Sequence, residues 1–328
     1  MGGNAFKAMG YESERMDADT FAQVQHDIQH FLSTLKIEYL DIPFIHDKSS
    51  FGDLDILVIE QQSNVFERIQ QHLTTLPHGQ NIIQKNLIFQ NGPCLSILYQ
   101  ERYQVDFIRS HTEYKYYHQK YLSYNDLGNL IGRCVKEAQY KHGYNGLFYT
   151  YYDGTRIKQD ILISQDYHEV LRLLQLDIPQ FEAGFHTVNE MFAYVASSPY
   201  FKPSVFYFEN LNHANRLRDA KRKNYHLFLD YVAQLNVDES QTPPLPTYQQ
   251  RYAFIENDIQ KLQQRSIQHQ QLKAKFNGQH IQQLTQLEGK ALGDFIKKFK
   301  FHYTDEDLTH KTQVEIDHLV LQYFHKTQ

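Results

Sequence analysis

The stretch Gly52-Asp53-Leu54-Asp55-Ile56-Leu57-Val58 sets two carboxylates two residues apart in a run of aliphatic side chains. On a β-strand, residues i and i+2 point to the same side, so Asp53 and Asp55 are placed to chelate a divalent cation together. A third acid, Asp106, interrupts a second apolar run, Val105-Asp106-Phe107-Ile108. Burying an ionised carboxylate in such a run is costly unless it is paired or metal-bound, so three of them in one predicted sheet ask for a cation. Two Mg²⁺ ions about 3.5–4 Å apart, held by such a triad, activate a hydroxyl nucleophile and stabilise the pyrophosphate leaving a nucleoside triphosphate. That chemistry is nucleotidyl transfer. The plainer alternative is that Asp53 caps a turn and Asp106 sits on an exposed edge.

The elements that must position these acids follow from periodicity. Phe21, Val24, Ile28, Phe31, Leu32 and Leu35 recur at helical spacing, with Asp17, Asp19 or Thr20 as cap, which predicts a helix over 17–36. A strand is expected at Glu38–Ile45, a turn at Asp47–Gly52, and a central strand at Asp53–Ile59 that is apolar on both faces in its later half. A helix over 64–76 and short β runs at Ile82–Gln90, Cys94–Gln100 and Tyr103–Arg109 complete a mixed sheet over residues 1–115. Residues 116–238 are expected to form a mixed α+β middle region. It contains a helix at Tyr124–Gln139, a hairpin around Asp153-Gly154 from Leu147–Tyr152 and Ile157–Ser164, and helices at Tyr167–Leu176 and Val188–Ser197. The stretch 239–247 carries three prolines and is the clearest linker, and residues 248–328 read as a helical module despite their glutamine bias. The expected class is α+β.

Composition narrows the function classes. The 328 residues carry 33 Lys+Arg against 38 Asp+Glu, so a globally basic nucleic-acid binder does not fit and any basic surface must be local. Two cysteines in unrelated contexts support neither a disulfide framework nor a thiolate metal cluster, and a reducing cytoplasm is the expected setting. No apolar run of membrane-spanning length and no signal-peptide layout is visible, so no membrane partner is expected. His26 and His30 form an i, i+4 pair without a third ligand nearby and read as helix surface.

Ser49-Ser50-Phe51-Gly52-Asp53-Leu54-Asp55-Ile56-Leu57-Val58 resembles the metal-binding strand of the DNA polymerase beta nucleotidyltransferase superfamily. That superfamily includes CCA-adding enzymes, poly(A) polymerases, oligoadenylate synthetases and antibiotic nucleotidyltransferases, and its pattern is Gly-Asp-x-Asp followed by aliphatics. Its members carry a third acid on a later strand, and Val105-Asp106-Phe107 is similar in type. The resemblance implies metal ligation by Asp53, Asp55 and Asp106, with Asp106 also the base or hydroxyl-orienting group. One departure stands out. Members usually place Gly-Ser or Gly-Gly about ten residues before the first Asp, where backbone amides at a helix start hold the triphosphate. Here that place is Ile42-Pro43. Lys48, Ser49, Ser50 and Gly52 are the candidates for nucleotide contact instead. Gly2-Gly3 is a further one, because Gly-Gly-x-Ala-Phe followed by an Arg resembles the start of uncharacterised fungal and bacterial proteins that also carry a Gly-Asp-x-Asp strand; an ordinary flexible terminus is the alternative.

Two more segments bear on the acceptor. Arg216, Arg218, Lys221, Arg222 and Lys223 would give a helix a cationic face for a triphosphate or an RNA backbone, or simply a solvated surface. Tyr114, Tyr116, Tyr117, Tyr121 and Tyr124, interleaved with Lys115 and Lys120, are suited to base stacking or to packing between domains. Near the C-terminus, Phe276–Ile281 and Leu287–Ile296 place glycines at helix ends, similar to the helical RNA-binding part of bacterial CCA-adding enzymes and poly(A) polymerases. That likeness implies an RNA-directed enzyme, with a tRNA-like 3′ end as acceptor. The family's motif for choosing C and A has no matching form here. The expectation is therefore Mg²⁺-dependent transfer of a nucleoside monophosphate to a hydroxyl. The open alternatives are a protein or small-molecule acceptor, and an inactive nucleotide- or RNA-binding module.

Overall fold

The computed structural model of the protein describes residues 4–61, 64–154 and 158–327, so Gly2 and Gly3 lie outside the described residues. The first long element, α1 (Ala18–Thr34), is capped by Asp17, which accepts from the Thr20 amide at 2.8 Å. Its Phe21, Val24, Ile28, Phe31 and Leu32 are buried on one stripe. There follow β1 (Tyr39–Asp41), β2 (Asp53–Glu60), α2 (Val65–Gln71), α3 (Gly79–Gln84), β3 (Ile88–Asn91), β4 (Cys94–Tyr99) and β5 (Tyr103–His111). The five strands form one sheet in the order β1-β2-β5-β4-β3, parallel between β2 and β5 and antiparallel elsewhere.

Side-chain alternation divides the labour of this sheet. On one face Leu54, Ile56 and Val58 meet Val105, Phe107, Leu95 and Ile97 and pack with Val24, Ile28, Val65, Phe66 and Ile69 of the helices into a single core. Asp53 and Asp55 project from the other face. That second face is also covered beyond Asp55, where Leu57 and Ile59 are buried and α4 (Lys115–Leu122) packs on β2 and β5. Hence β2 begins as a strand with one wet face and ends as one buried on both.

Two expectations in this region change. The strand expected over Glu38–Ile45 shortens to β1, because Pro43 has no amide for a ladder and the chain turns away there. Ile82 reaches the core from α3, not from a strand, and the β run begins only at Ile88.

Beyond α4 come α5 (Leu127–Cys134), β6 (Tyr140–Gly143), β7 (Gly146–Tyr152), β8 (Lys158–Ser164), α6 (Tyr167–Leu173), α7 (Ile178–Ala183), α8 (Val188–Ala196), α9 (His213–Asp219), α10 (Lys223–Val232) and α11 (Tyr248–Arg251). The helix expected over Tyr124–Gln139 starts later, as α5, because Tyr124 and Asn125 take left-handed conformations with φ of 57° and 61°. The segment 141–146 closes a hairpin, with Gly143 opposite Gly146, in a second sheet ordered β6-β7-β8. Ile157, expected in the second strand of the Asp153-Gly154 hairpin, lies outside the described residues.

The last helices are α12 (Glu256–Lys275), α13 (Gly278–Thr285), α14 (Gly289–His302), α15 (Asp305–Thr309) and α16 (Gln313–Thr327), with a core of Leu272, Phe276, Ile281, Phe295, Phe299, Leu308, Ile316 and Val320. The chain divides into two compact units, Met1–Thr150 with Leu162–Arg251, and Tyr151–Ile161 with Tyr252–Gln328. The proline-bearing stretch 239–247 lies in the first unit, where Pro246 accepts from the Tyr140 hydroxyl at 2.9 Å and Glu239 accepts from Ser204 at 2.6 Å. No helix among the described residues is long and apolar enough to cross a membrane.

Ile56 is wholly buried at the centre of the sheet, on β2 next to Asp55 and level with Phe107 of β5. Ile56→Ala is expected to destabilise the first unit by about 2–5 kcal/mol, seen as a lowered urea midpoint by circular dichroism.

Candidate active site

The parallel register of β2 and β5 sets Asp55 beside Asp106 and Asp53 beside Gln104. On the far side of β5, β4 places Ser96 beside Asp106. Asp53, Asp55, Gln104, Asp106 and Ser96 therefore share one face, in two adjacent rows across three strands. One carboxylate oxygen from each aspartate lies within 4.8 Å of the others. Among the described residues no other three His, Cys, Asp or Glu side chains converge as closely. Asp106 thus sits on an interior strand and not at a sheet edge, and Asp53 opens β2.

The electrostatics are those of crowded negative charge. Asp55 keeps solvent access, yet protein surrounds it densely enough to penalise its charge. Its carboxyl is pushed well above the ordinary range, first by burial, then by the charges of Asp53 and Asp106, with Lys48 opposing. Burial also pushes Asp106 up to about 6, and the charge of Asp53 adds to this. Hydrogen bonds oppose the shift. The Gln104 amide donates to both Asp106 oxygens at 3.0 and 2.9 Å, and Ser96 supplies another bond. Lys48 is half-buried, with its ammonium 4.8 Å from the centre of the Phe51 ring, and it faces Asp53 and Asp55. Its own value is lowered, chiefly by burial. One lysine does not balance three carboxylates, and the donors are all hard oxygens, so the set fits a divalent cation of the Mg²⁺ kind.

The segment 42–52 that leads into Asp53 is held from several sides. Pro43 accepts from the Tyr124 amide at 2.9 Å, and the amides of His46 and Asp47 donate to Phe185 and His186 at 2.9 and 3.0 Å. Gly184 has φ +82° and presses so closely that a Cβ there would lie 3.1 Å from His46 Nε2 and from the Tyr124 hydroxyl, so only glycine suits the position. Phe51 stacks on Phe21 with ring centres 4.0 Å apart. Ser49 and Ser50 stay exposed, and Gly52 is buried.

The structure also brings in a residue that the spacing of motifs did not single out. Met16 and Phe51 exchange both backbone hydrogen bonds at 2.8 Å, which carries Arg15 to the loop before Asp53. The Arg15 Nε donates to Ser50 Oγ at 2.8 Å and one terminal nitrogen donates to the Ser50 carbonyl at 2.9 Å. Gln104 is the other omission: its Oε1 accepts from the Ala5 amide at 2.9 Å while its amide holds Asp106. The only sequence signal for Gln104 is its place two residues before Asp106 on the same face.

The remaining candidates are placed elsewhere in the first unit. Arg216 and Arg218 lie in α9, Lys223 begins α10, and Lys221 and Arg222 fall between, so no single helix presents all five. Arg218 binds the buried Asp219 at 2.8 Å and Asn129 at 2.5 Å, Arg222 pairs with Asp126, and Arg133 pairs with Asp219. Arg216, Lys221 and Lys223 remain exposed. In the tyrosine-rich stretch Tyr117 and Tyr124 are buried, Tyr117 bonding His142 at 2.6 Å, while Lys115 and Lys120 pair with Glu38 and Glu182. Tyr116 is the most exposed of the five. Compared with protein-family models and with curated proteins, the chain has no match to either.

A carboxyl whose folded value is raised keeps its proton at a pH where the unfolded chain has lost it, so stability falls as pH climbs through that window. For Asp106 the window runs from the ordinary 3.8 to about 6. In EDTA, the stability of Asp106→Asn relative to the native sequence is expected to grow across that range, by up to about 2 kcal/mol after solvent screening. In the same buffer at neutral pH, Asp55→Asn is expected to melt about 2–4 °C higher than the native sequence. Added MgCl₂ should raise the melting temperature of the native protein but not that of Asp55→Asn, as differential scanning fluorimetry will report.

Proposed function

We propose that the protein is a nucleotidyltransferase that moves a nucleoside monophosphate from a nucleoside triphosphate to a hydroxyl acceptor, an RNA 3′ end being the acceptor class favoured. The observation that carries this reading is the convergence of Asp53, Asp55 and Asp106 to within 4.8 Å on adjacent strands. Its composition is one of oxygen donors alone, set on a rigid sheet, which is what in-line phosphoryl chemistry asks of a protein.

Asp53, Asp55 and Asp106 would hold two Mg²⁺ ions, which when bound supply charge stabilisation for the attacking and leaving oxygens. The chain's own work is then positional. The acceptor hydroxyl attacks the α-phosphorus, its new P–O bond replaces the bond to the β-phosphate, and pyrophosphate departs. Asp106 takes the hydroxyl proton at a carboxylate oxygen, as the residue that shares a face and a row with Asp55. Gln104 and Ser96 fix the orientation of that carboxylate. Lys48 faces Asp53 and Asp55 from the loop, where a cation meets an incoming polyphosphate.

The support for RNA comes from the C-terminal helices. On α14, Lys290, Lys297 and Lys298 are exposed, and Phe301 is 93% exposed. Basic side chains beside an uncovered aromatic ring match a flexible polyanion whose bases can stack.

Incubation with each of four α-labelled ribonucleoside triphosphates, MgCl₂ and total RNA is expected to label RNA with one nucleotide, and Asp53→Ala/Asp55→Ala is expected to lose at least about a thousandfold of that rate. Label on protein would replace RNA with a protein acceptor. Triphosphate binding without any product would replace the enzyme with a binding module.

A further inference from the structure

The nucleotidyl reading leaves one requirement unmet. A triphosphate carries several negative charges to a site that already holds three carboxylates, and the chain has Ile42-Pro43 where a glycine-bearing helix start would offer amides. Some other donors must face the β- and γ-phosphates.

The N-terminal strap brings them. It is anchored at both ends of the acid cluster. At one end Ala5 donates to Gln104, the residue that holds Asp106, and Phe6 is buried in the core of the sheet. At the other end Met16, also buried, pairs with Phe51. Between them the Glu14 amide donates to the Arg102 carbonyl at 2.7 Å, and the two side chains pair at 3.0 Å. With the backbone fixed on both sides, Arg15 has little choice of position. Its guanidinium is bonded to Ser50, three residues before Asp53, and its side chain stays exposed. Lys48 lies within electrostatic range of Arg15, Asp53 and Asp55 together. Two cations that repel each other and flank an acidic cluster form a pair that a bridging anion would stabilise, and Ser50 Oγ is a hydroxyl that a phosphate oxygen can displace as the guanidinium's partner.

We infer that Arg15, delivered by the N-terminal strap, and Lys48 together bind the β- and γ-phosphates of the incoming nucleoside triphosphate, in place of a helix N-terminus. The inference rests on the nucleotidyl reading and extends it to a residue that lies outside the Asp-x-Asp strand and its loop. The strap is thereby part of the site as well as part of the fold.

The test is binding by isothermal titration calorimetry of the full chain in MgCl₂. The probes are the four α,β-methylene ribonucleoside triphosphates, which cannot be cleaved at the reacting bond, and the matching monophosphate. Arg15→Gln is expected to weaken the triphosphate by about tenfold or more and the monophosphate by less than about twofold. Arg15→Lys, which keeps the charge but not the planar fork, should fall between. Melting temperatures within a few degrees of the native protein, on the scale of about 2–4 °C per kcal/mol, certify that both variants fold. Unchanged triphosphate affinity in Arg15→Gln, beside clear binding by the native chain, would overturn this assignment and leave the nucleotidyl reading standing. Failure of the native chain to bind any of the four triphosphates would overturn both. If Arg15→Gln melts early, Arg15→Lys decides alone: triphosphate affinity equal to native, in a folded variant that has lost the bidentate grip, counts against the assignment.

Discussion

The parallel pairing of β2 with β5 is the constraint on which the rest of the structure depends. A parallel pair cannot be closed by a tight turn, so the chain leaves the sheet after β2 through α2 and α3 and returns by way of β3 and β4 before β5. Those elements cover one face with a single apolar core and build the sheet's other edge. What the pairing creates on the opposite face is a concentration of carboxylates, Asp55 level with Asp106 and Asp53 one step along. A slip of β2 by one residue in this register would turn Asp53 and Asp55 into the core and Leu54, Ile56 and Val58 out of it, so the apolar face enforces the geometry of the polar one.

The charge gathered there has to be offset, and the surrounding structure does this in graded ways. Gln104 and Ser96 satisfy Asp106 with neutral donors, while Lys48 approaches Asp53 and Asp55 as a cation without cancelling them. Burial and mutual repulsion still hold Asp55 and Asp106 above the ordinary carboxylate range. A site of this kind stores unfavourable electrostatic energy in the fold, which a divalent cation bound there would relieve. The segment leading into β2 is accordingly clamped by the strap through Met16 and Phe51, and by the α4–α5 junction and the residues after α7 through Pro43, His46 and Asp47.

Much of this was legible along the chain. The stripe of α1, the acid-bearing strands and the helical C-terminal region follow from periodicities of two and 3.6, whereas the choice of Asp17 over Asp19 and Thr20 as cap was made by the fold. Short elements escaped: α4 hides in a stretch whose tyrosines and lysines give little apolar contrast, and β6 was masked by the glycines that close its hairpin. Ile82 shows the limit from the other side, since a short apolar run does not tell a buried helix from a strand.

The acids themselves were determined by sequence. Asp53 and Asp55 lie on one side of any strand that contains them, and three acids in apolar runs demand compensation wherever they fold. Which neighbours supply it was decided only by tertiary structure. Gln104 meets Asp106 locally and Lys48 comes from the loop before Asp53, but Ser96 arrives from β4, a placement that depends on strand order. The basic run at 216–223 makes the same point in reverse. Its charges are plain in the sequence, yet the buried Asp219 and the partly buried Asp126 engage Arg218 and Arg222, because a carboxylate withdrawn from water takes the nearest cations.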